Sequence, residues 1–322
     1  MRKLSWLIVV VLILASSVFI AVYSIDSCKV VNAPSSKREV FALSIPEKIL
    51  FANEEVPLHY FDVREGLDRE LHVNTYFQSQ TIFYIKRATR YFPIIEQILK
   101  EEGVPLDFKY LAVAESGLTN VISPAKAAGF WQLLKITAEE YKLEVNDEID
   151  ERFDLEKSTR IACAYLKKAH EQFGSWTMAA VAYNMGIPGL LRQVESQKES
   201  TYYNLFLYDE PARYVYRIIA IKLIIENPEL YGFYIDKKDL YLPFKYSTIN
   251  IDISIGNLTN FAKKNNTNYK MLKILNPWLR NSALVNNTKK VYHVKLPVNG
   301  SRESIYSEPN FPIPSDTLKN IE

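Results

Sequence analysis

The sequence predicts a mainly α-helical protein carrying a small βααβ module near its C-terminus. Three observations support this. From about Ile45 to Leu230, apolar residues recur at three- and four-residue spacing. These runs stop at Gly103, Gly174, Gly186 and Asn227-Pro228, residues that end helices. Beyond residue 248, two strand-like segments, "TINIDI" and "KVYHVKLP", bracket two short helical ones. A chain of 322 residues, 48% of them hydrophobic, can bury one sizeable core and a second small one.

The N-terminus is strongly apolar. Residues 1–25, "MRKLSWLIVVVLILASSVFIAVYSI", hold two basic residues and then an uncharged apolar run from Leu4 to Ile25. That run is long enough to cross a hydrocarbon core of ~30 Å as a helix. Arg2 and Lys3 would stay cytoplasmic, placing the rest of the chain outside. A cleaved signal peptide is the competing reading, but the run exceeds a usual h-region and lacks a clean small-residue cleavage site. Cys28 in "IDSC" is a faint lipidation signal, weakened by Asp26. Each reading exports the body of the protein to the periplasmic side, and a helical anchor is favoured over a lipid. Residues 26–45, with "NAPSSKRE", read as a linker.

Within the helical domain, 46–230, "YFPIIEQILKEEG" is a helix stopped by Gly103. The next helix restarts at Pro105, whose fixed φ suits a first turn. "DLEKSTRIACAYLKKAHEQFG" has Asp154 as N-cap and Gly174 as stop, and "SWTMAAVAYNMG" has Ser175 and Gly186 in those roles. "EPARYVYRIIAIKLIIENP" begins at Glu210-Pro211 and ends at Asn227-Pro228. A Tyr- and Lys-rich linker, 231–247, leads to the module at 248–297. The polar, Pro-rich tail 298–322 is expected to be disordered.

Composition narrows the function. The 39 Lys and Arg nearly cancel the 37 Asp and Glu, and no dense basic stripe exists to neutralise a phosphate backbone, which argues against nucleic acid. The two cysteines give no disulfide framework, and Cys163 reads as a small buried thiol. The four histidines lack paired ligand spacing, so neither a metal nor a cofactor is expected. Aromatic residues, at 13%, suit stacking on sugar rings as well as core packing.

The residue that invites chemistry is Glu115, in "LAVAESGLTN". It follows Phe108, Leu111 and Ala112 by seven, four and three positions, so it shares their apolar stripe, and Gly117 ends the helix just beyond it. That leaves a carboxyl at the rim of a core. Burial there raises its pKa and keeps a proton available for donation near neutral pH. A helix-end glutamate bending out to solvent fits the same spacing.

The motifs around and beyond Glu115 are more specific. "AES", Ser123, "AAGFWQLL" with Gln132, "AVAYNMG" with Tyr183 and Asn184, and "EPARYV" with Glu210 and Tyr214 come in an order that resembles the lytic murein transglycosylases with a lysozyme-like fold, most closely the membrane-bound D-type enzymes. The resemblance spans roughly residues 90–230, through Glu115-Ser116, Gly129 to Gln132, and Ala182 to Asn184. It implies a lysozyme-like domain in which Glu115 is the single acid/base. Gln132 would look into the cleft and bond the sugar near the scissile linkage, Tyr183 and Asn184 would hold the reacting ring, and Ser116 and Ser123 would orient the site. Glu210 and Tyr214 match a later Glu-Thr-Arg-x-Tyr segment, but Pro211-Ala212 replaces its Thr-Arg. The proline that usually follows the Gln motif is also absent.

Most glycosidases flank the bond with two carboxyl groups. Here the acidic run "NDEIDERFD", Asp147 to Asp154, precedes a helix start, where acids favour the dipole and the cap. One acid suffices in the reaction the resemblance implies. Glu115 would protonate the β-1,4 bond between N-acetylmuramic acid and N-acetylglucosamine, then take the proton of the 6-hydroxyl as a 1,6-anhydro ring closes. "NLTNFAKKNNTNYKMLKILNPWLR" with "KVYHVKLP" resembles a degenerate LysM module, in which Leu258, Phe261, Leu272, Leu275 and Asn276 match the core and "IGNL" replaces the usual opening. Peptidoglycan glycan strands are therefore the expected partner. A hydrolytic muramidase on the same fold and a non-enzymatic glycan-binding scaffold are the alternatives.

Overall fold

The computed structural model describes residues 41–304. The apolar segment 1–25, Cys28 and most of the 26–45 linker lie outside the described residues, as does the tail from 305. Met1–Ala42 separates from Leu43–Glu322, and the described helices and strands all belong to the latter unit. Among the described residues, no helix is long and apolar enough to cross a membrane.

The helical pattern expected from Ile45 onward starts later than that. Leu50–Phe51 (β1) and Glu54–Glu55 (β2) form an antiparallel hairpin. Its turn residues Ala52 and Asn53 both have positive φ, 52° and 67°, as a tight right-twisting hairpin requires. The hairpin is pinned by distant partners. The Ala52 amide donates to Asp107 Oδ2 at 2.7 Å, and the Glu54 carboxylate accepts from Ser175 Oγ and from the amides of Trp176 and Thr177 at 2.6 and 2.9 Å. An anion at that helix N-terminus satisfies orphan donors and favours the dipole.

Helices then follow in order: α1 (Phe61–Tyr76), α2 (Gln78–Glu102), α3 (Phe108–Ser116), α4 (Lys135–Glu140), α5 (Leu155–Phe173), α6 (Trp176–Met185), α7 (Ile187–Gln197) and α8 (Asp209–Glu226). Gly103 closes α2 in the left-handed region, and Asp154 and Ser175 cap α5 and α6 by accepting from Lys157 and Met178 amides. One start differs from expectation. Pro105 sits in a turn whose carbonyl accepts from the Phe108 amide, so α3 begins at Phe108. Asp107, in the cap position, makes no cap bond because its carboxylate is taken by Ala52 and by Lys222, 2.8 Å away.

Short α3 is the centre of the domain. Its Leu111, Ala112 and Val113 are fully buried, with α2 and α8 packed on it and α6 and α1 packed on α8. Cys163 lies buried on α5, where burial pushes its thiol up to about 12.

The C-terminal module is β3 (Tyr246–Ile251), α9 (Leu258–Lys264), α10 (Tyr269–Leu275) and β4 (Tyr292–Pro297), with β3 antiparallel to β4 from Tyr246↔Pro297 to Ile251↔Tyr292. Asn257 and Asn268 cap its two helices. Buried Asn276 ties α10 to β4, donating to the Lys295 carbonyl and accepting from the Lys295 amide, both at 2.7 Å. The module is not a bead on a string. Its core of Leu258, Leu272, Leu279, Leu284 and Val294 is continuous with Ala128, Ile149 and Phe153 of the helical domain. The Asp150 amide donates to the Trp278 carbonyl, the Arg280 amide to the Glu148 carbonyl, and the Arg280 guanidinium lies 4.2 Å from the Phe153 ring centre. The acidic run expected to serve a helix start does so through Asp154. Together with its neighbours Glu144 and Glu156 it also forms the seat of the module: Glu144 and Glu151 pair with Lys290, and Glu156 with Lys295.

Candidate active site

The end of α3 fixes Glu115. Gly117 turns into the left-handed region at φ 58°, and a Cβ there would come within 2.7 Å of the Tyr84 ring. The helix therefore stops at Ser116, one residue after Glu115, leaving Glu115 part-buried at the edge of the core. Its Oε1 accepts a short hydrogen bond from the hydroxyl of Tyr214, a buried residue of α8. Burial raises the Glu115 pKa to about 7. The Tyr214 bond acts in the other direction, nearby Glu210 raises it further, and the Arg217 guanidinium lowers it. The carboxyl is thus poised to exist in both protonation states near neutrality.

Beside it runs the loop 118–134, closed by the isolated bridges Ile122↔Ala128 and Ala128↔Leu133. Gly129 has φ 80°, and a Cβ there would lie 2.0 Å from the Arg152 carbonyl oxygen, which leaves room only for glycine. Trp131 is fully buried and donates its indole N–H to Thr159 Oγ1 at 2.8 Å. The Gln132 backbone is held at φ 47°, and its side-chain amide donates to the Gly129 and Val121 carbonyls at 2.8 and 3.1 Å.

Two of the residues singled out from the sequence, Ser116 and Tyr183, meet on the backbone of this loop. Ser116 Oγ donates to the Phe130 carbonyl at 2.8 Å, and the Tyr183 hydroxyl donates to the Trp131 carbonyl at 2.7 Å. The end of α3, the Gly129–Gln132 loop and α6 are thereby fastened together, with Tyr183 electrostatically sensitive to Glu115. Asn184, one residue further along α6, is part-buried, and its side chain makes no hydrogen bond to a described residue. Ser123 is placed differently. Its hydroxyl accepts from the Ala127 amide at 3.1 Å, which shapes the loop without touching Glu115. Exposed Glu210 is committed to Arg217, gripping the guanidinium at both nitrogens.

Three residues of this neighbourhood are missing from the candidates read from the sequence. Buried Arg152 forks onto Asp150, with Nε and Nη2 at 2.9 and 2.7 Å from its two oxygens. Its Nη1 donates to the Lys126 and Leu133 carbonyls at 2.9 and 3.1 Å, clasping both ends of the Gly129–Gln132 loop. Arg217 and buried Glu70 are the others. Arg217 lies one turn after Tyr214 on α8, a spacing legible in the sequence, but Glu70 sits 147 residues away on α1.

Two family models match separate stretches of the chain. Residues 92–206 match the family model of the Transglycosylase SLT domain, and residues 247–300 match the Soluble lytic transglycosylase C-terminal LysM-like domain. The resemblance carried by the motif order is therefore borne out: a lysozyme-like SLT domain precedes a LysM-like module. The membrane-bound lytic murein transglycosylase D of Escherichia coli is 27% identical over 176 residues, 53% of this chain and 38% of that protein. A putative tributyltin chloride resistance protein from an Alteromonas species is 29% identical over 114 residues, 35% of this chain and 55% of that one. The chain thus spans well under two thirds of these relatives. Among solved structures, an inactive mutant of the lytic transglycosylase Slt from Pseudomonas aeruginosa is similar over 47% of this chain and 26% of that one, with 18% identity and a TM-score of 0.36.

Proposed function

We propose that this protein is a peptidoglycan lytic transglycosylase in which Glu115 alone serves as acid and then as base. The observation that carries this reading is the Glu115 carboxyl itself, lifted to about 7 by burial and bonded by Tyr214 at the end of α3. Protonated Glu115 donates to the glycosidic oxygen between N-acetylmuramic acid and N-acetylglucosamine, and the bond from that oxygen to the muramoyl C1 breaks. The Tyr214 hydroxyl stabilises the carboxylate left behind, because a hydrogen bond to an ionised acceptor is stronger than one to a neutral group. That carboxylate then takes the proton of the same sugar's 6-hydroxyl as its oxygen closes on C1. No water is consumed, and the attacking group needs only to be held in a reactive shape. Gln132 Oε1, which accepts from no donor among the described residues, and Asn184 are polar groups available to hold it; Ser116 and Tyr183 keep their loop in place.

A hydrolase would need a second carboxylate to activate water. The anion acting on Glu115 is Glu210, and its carboxylate is gripped by Arg217. Of the acids of 144–156, Glu144, Glu148, Glu151 and Glu156 bond the module, Asp154 caps α5 and Asp150 holds Arg152. That distribution supports the lyase over the muramidase. The LysM-like module belongs to the same proposal as a second hold on the glycan strand. So do export to the periplasmic side and anchoring through residues 1–25, which a relative named as membrane-bound supports. The test is digestion of purified sacculi with wild type and Glu115→Gln. Wild type is expected to release muropeptides one water lighter than hydrolytic products, and the variant almost none. Equal solubilisation by both would remove the mechanism, and full-mass products would favour the muramidase.

A further inference from the structure

Glu70 is the most buried carboxylate near the candidate site, and the proposed reaction makes no use of it. It lies on α1, ahead of the region matched by the transglycosylase domain, with its side chain 1% exposed. It faces two guanidinium groups one turn apart on α8: Arg213 Nε stands 2.7 Å from Oε1, and Arg217 Nε 3.4 Å from Oε2. Like charges four residues apart on a helix repel. The carboxylate between them removes that repulsion and fixes where each guanidinium sits. From the solvent side Glu210 grips the terminal nitrogens of Arg217. Arg217 is therefore held between two carboxylates, and it is also the cation that acts on Glu115.

We propose that Glu70 is a positioning residue: together with Glu210 it retains the Arg217 guanidinium and keeps it from closing onto the Glu115 carboxyl. The inference rests on the reading of Glu115 as the acid. An arginine in direct contact with that carboxyl would lower its pKa by about 1–3 units and leave it ionised at neutral pH, with no proton to give. The other groups facing Glu115 do not substitute for Arg217. Tyr214 and Glu210 come from α8, and Tyr183 comes from α6 with its hydroxyl on Trp131. On α2, packed at Gly117, Tyr84 is engaged by Gln80 and Arg87 donates to the Gly117 carbonyl at 3.0 Å. Burial sets the acid's high pKa, Arg217 is the cation that opposes it, and Glu70 is the buried anchor of that cation.

The experiment is a carbon-13 carboxyl NMR titration of the full chain without substrate, with the Glu115 signal assigned by its loss in Glu115→Gln. In Glu70→Gln the Glu115 midpoint is expected to fall by about 1 unit or more. Adding Arg217→Met to that variant should bring it back to the wild-type value or above. The alkaline limb of kcat/KM on sacculi should move with the midpoint. An unchanged midpoint in folded Glu70→Gln overturns the proposal, because a purely structural role for Glu70 would not touch this titration. Should Glu70→Gln fail to fold, Arg217→Met alone decides: its midpoint should rise above wild type, and no movement overturns the proposal. The titration is separate from the functional reading. An inactive Glu115→Gln with an unmoved midpoint sinks the role of Glu70 alone, whereas an active Glu115→Gln sinks the role of Glu115.

Discussion

Replacing Glu115 by glutamine is expected to stabilise the protein at alkaline pH while abolishing its activity. The folded pKa of about 7 lies above the reference value of 4.5, so the folded state holds a proton that the unfolded chain has already released. A carboxyl raised in this way contributes stability that is fully present below about pH 4.5 and is lost as pH climbs through about 7. The gap is about 7 less 4.5, or about 2.5 units, and at about 1.4 kcal/mol per unit the fully ionised group costs the folded state about 3–4 kcal/mol. Glutamine removes that cost and still offers an amide oxygen to the Tyr214 hydroxyl. At about pH 8 the variant should be more stable by about 3 kcal/mol, and at about pH 5 by less than about 1 kcal/mol. For a chain of this size that corresponds to a Tm increase of about 6–12 °C at the higher pH. Thermal melts of both proteins across pH measure it. Equal melting at alkaline pH, or an offset that does not change with pH, would refute the view that Glu115 is held in a costly desolvated state. A stability gain on removing a functional group is what a site organised for chemistry should give.

Gly129→Ala should cost more than about 2 kcal/mol, read from the urea midpoint, because the new Cβ would lie 2.0 Å from a backbone oxygen at φ 80°. Activity should fall with it, since Ser116 and Tyr183 are fastened to the same loop. Phe153→Ala should cost about 3–5 kcal/mol, because the ring is 2% exposed in the core shared by the two modules. Calorimetry should then show the module melting separately, where wild type melts in one transition; a single unshifted transition would contradict a shared core.

Much of the helical domain is legible in the sequence because its signals are local. Gly103, Gly117 and Gly174 stop helices where the chain enters the left-handed region, and Asp154 and Ser175 cap helices by bonds three residues long. The stripe through Phe108, Leu111, Ala112 and Glu115 sets the carboxyl at a core edge without reference to any other part of the chain. The βααβ order of the module follows from two strand-like segments bracketing two short helical ones. Local pattern fails where the partner is remote. It runs the 50–55 hairpin into the helical region, because the hairpin's reasons are Asp107 and the N-terminus of α6, 55 and more than 120 residues away. It starts a helix at Pro105, because nothing local announces that Asp107 is engaged elsewhere.

The sequence by itself determined that the domain is mainly helical, where several of its helices stop, and that Glu115 rides an apolar face within an ordered set of motifs. Only the tertiary structure decided that the acids of 144–156 seat the C-terminal module, that Arg152 clasps the loop, and that Arg217 is held between Glu70 and Glu210. A charged residue on a helix face leaves the same local pattern whether it meets water or an opposite charge from an element far along the chain. Periodicity reports which side of a helix is buried, and the partner on that side is set by packing.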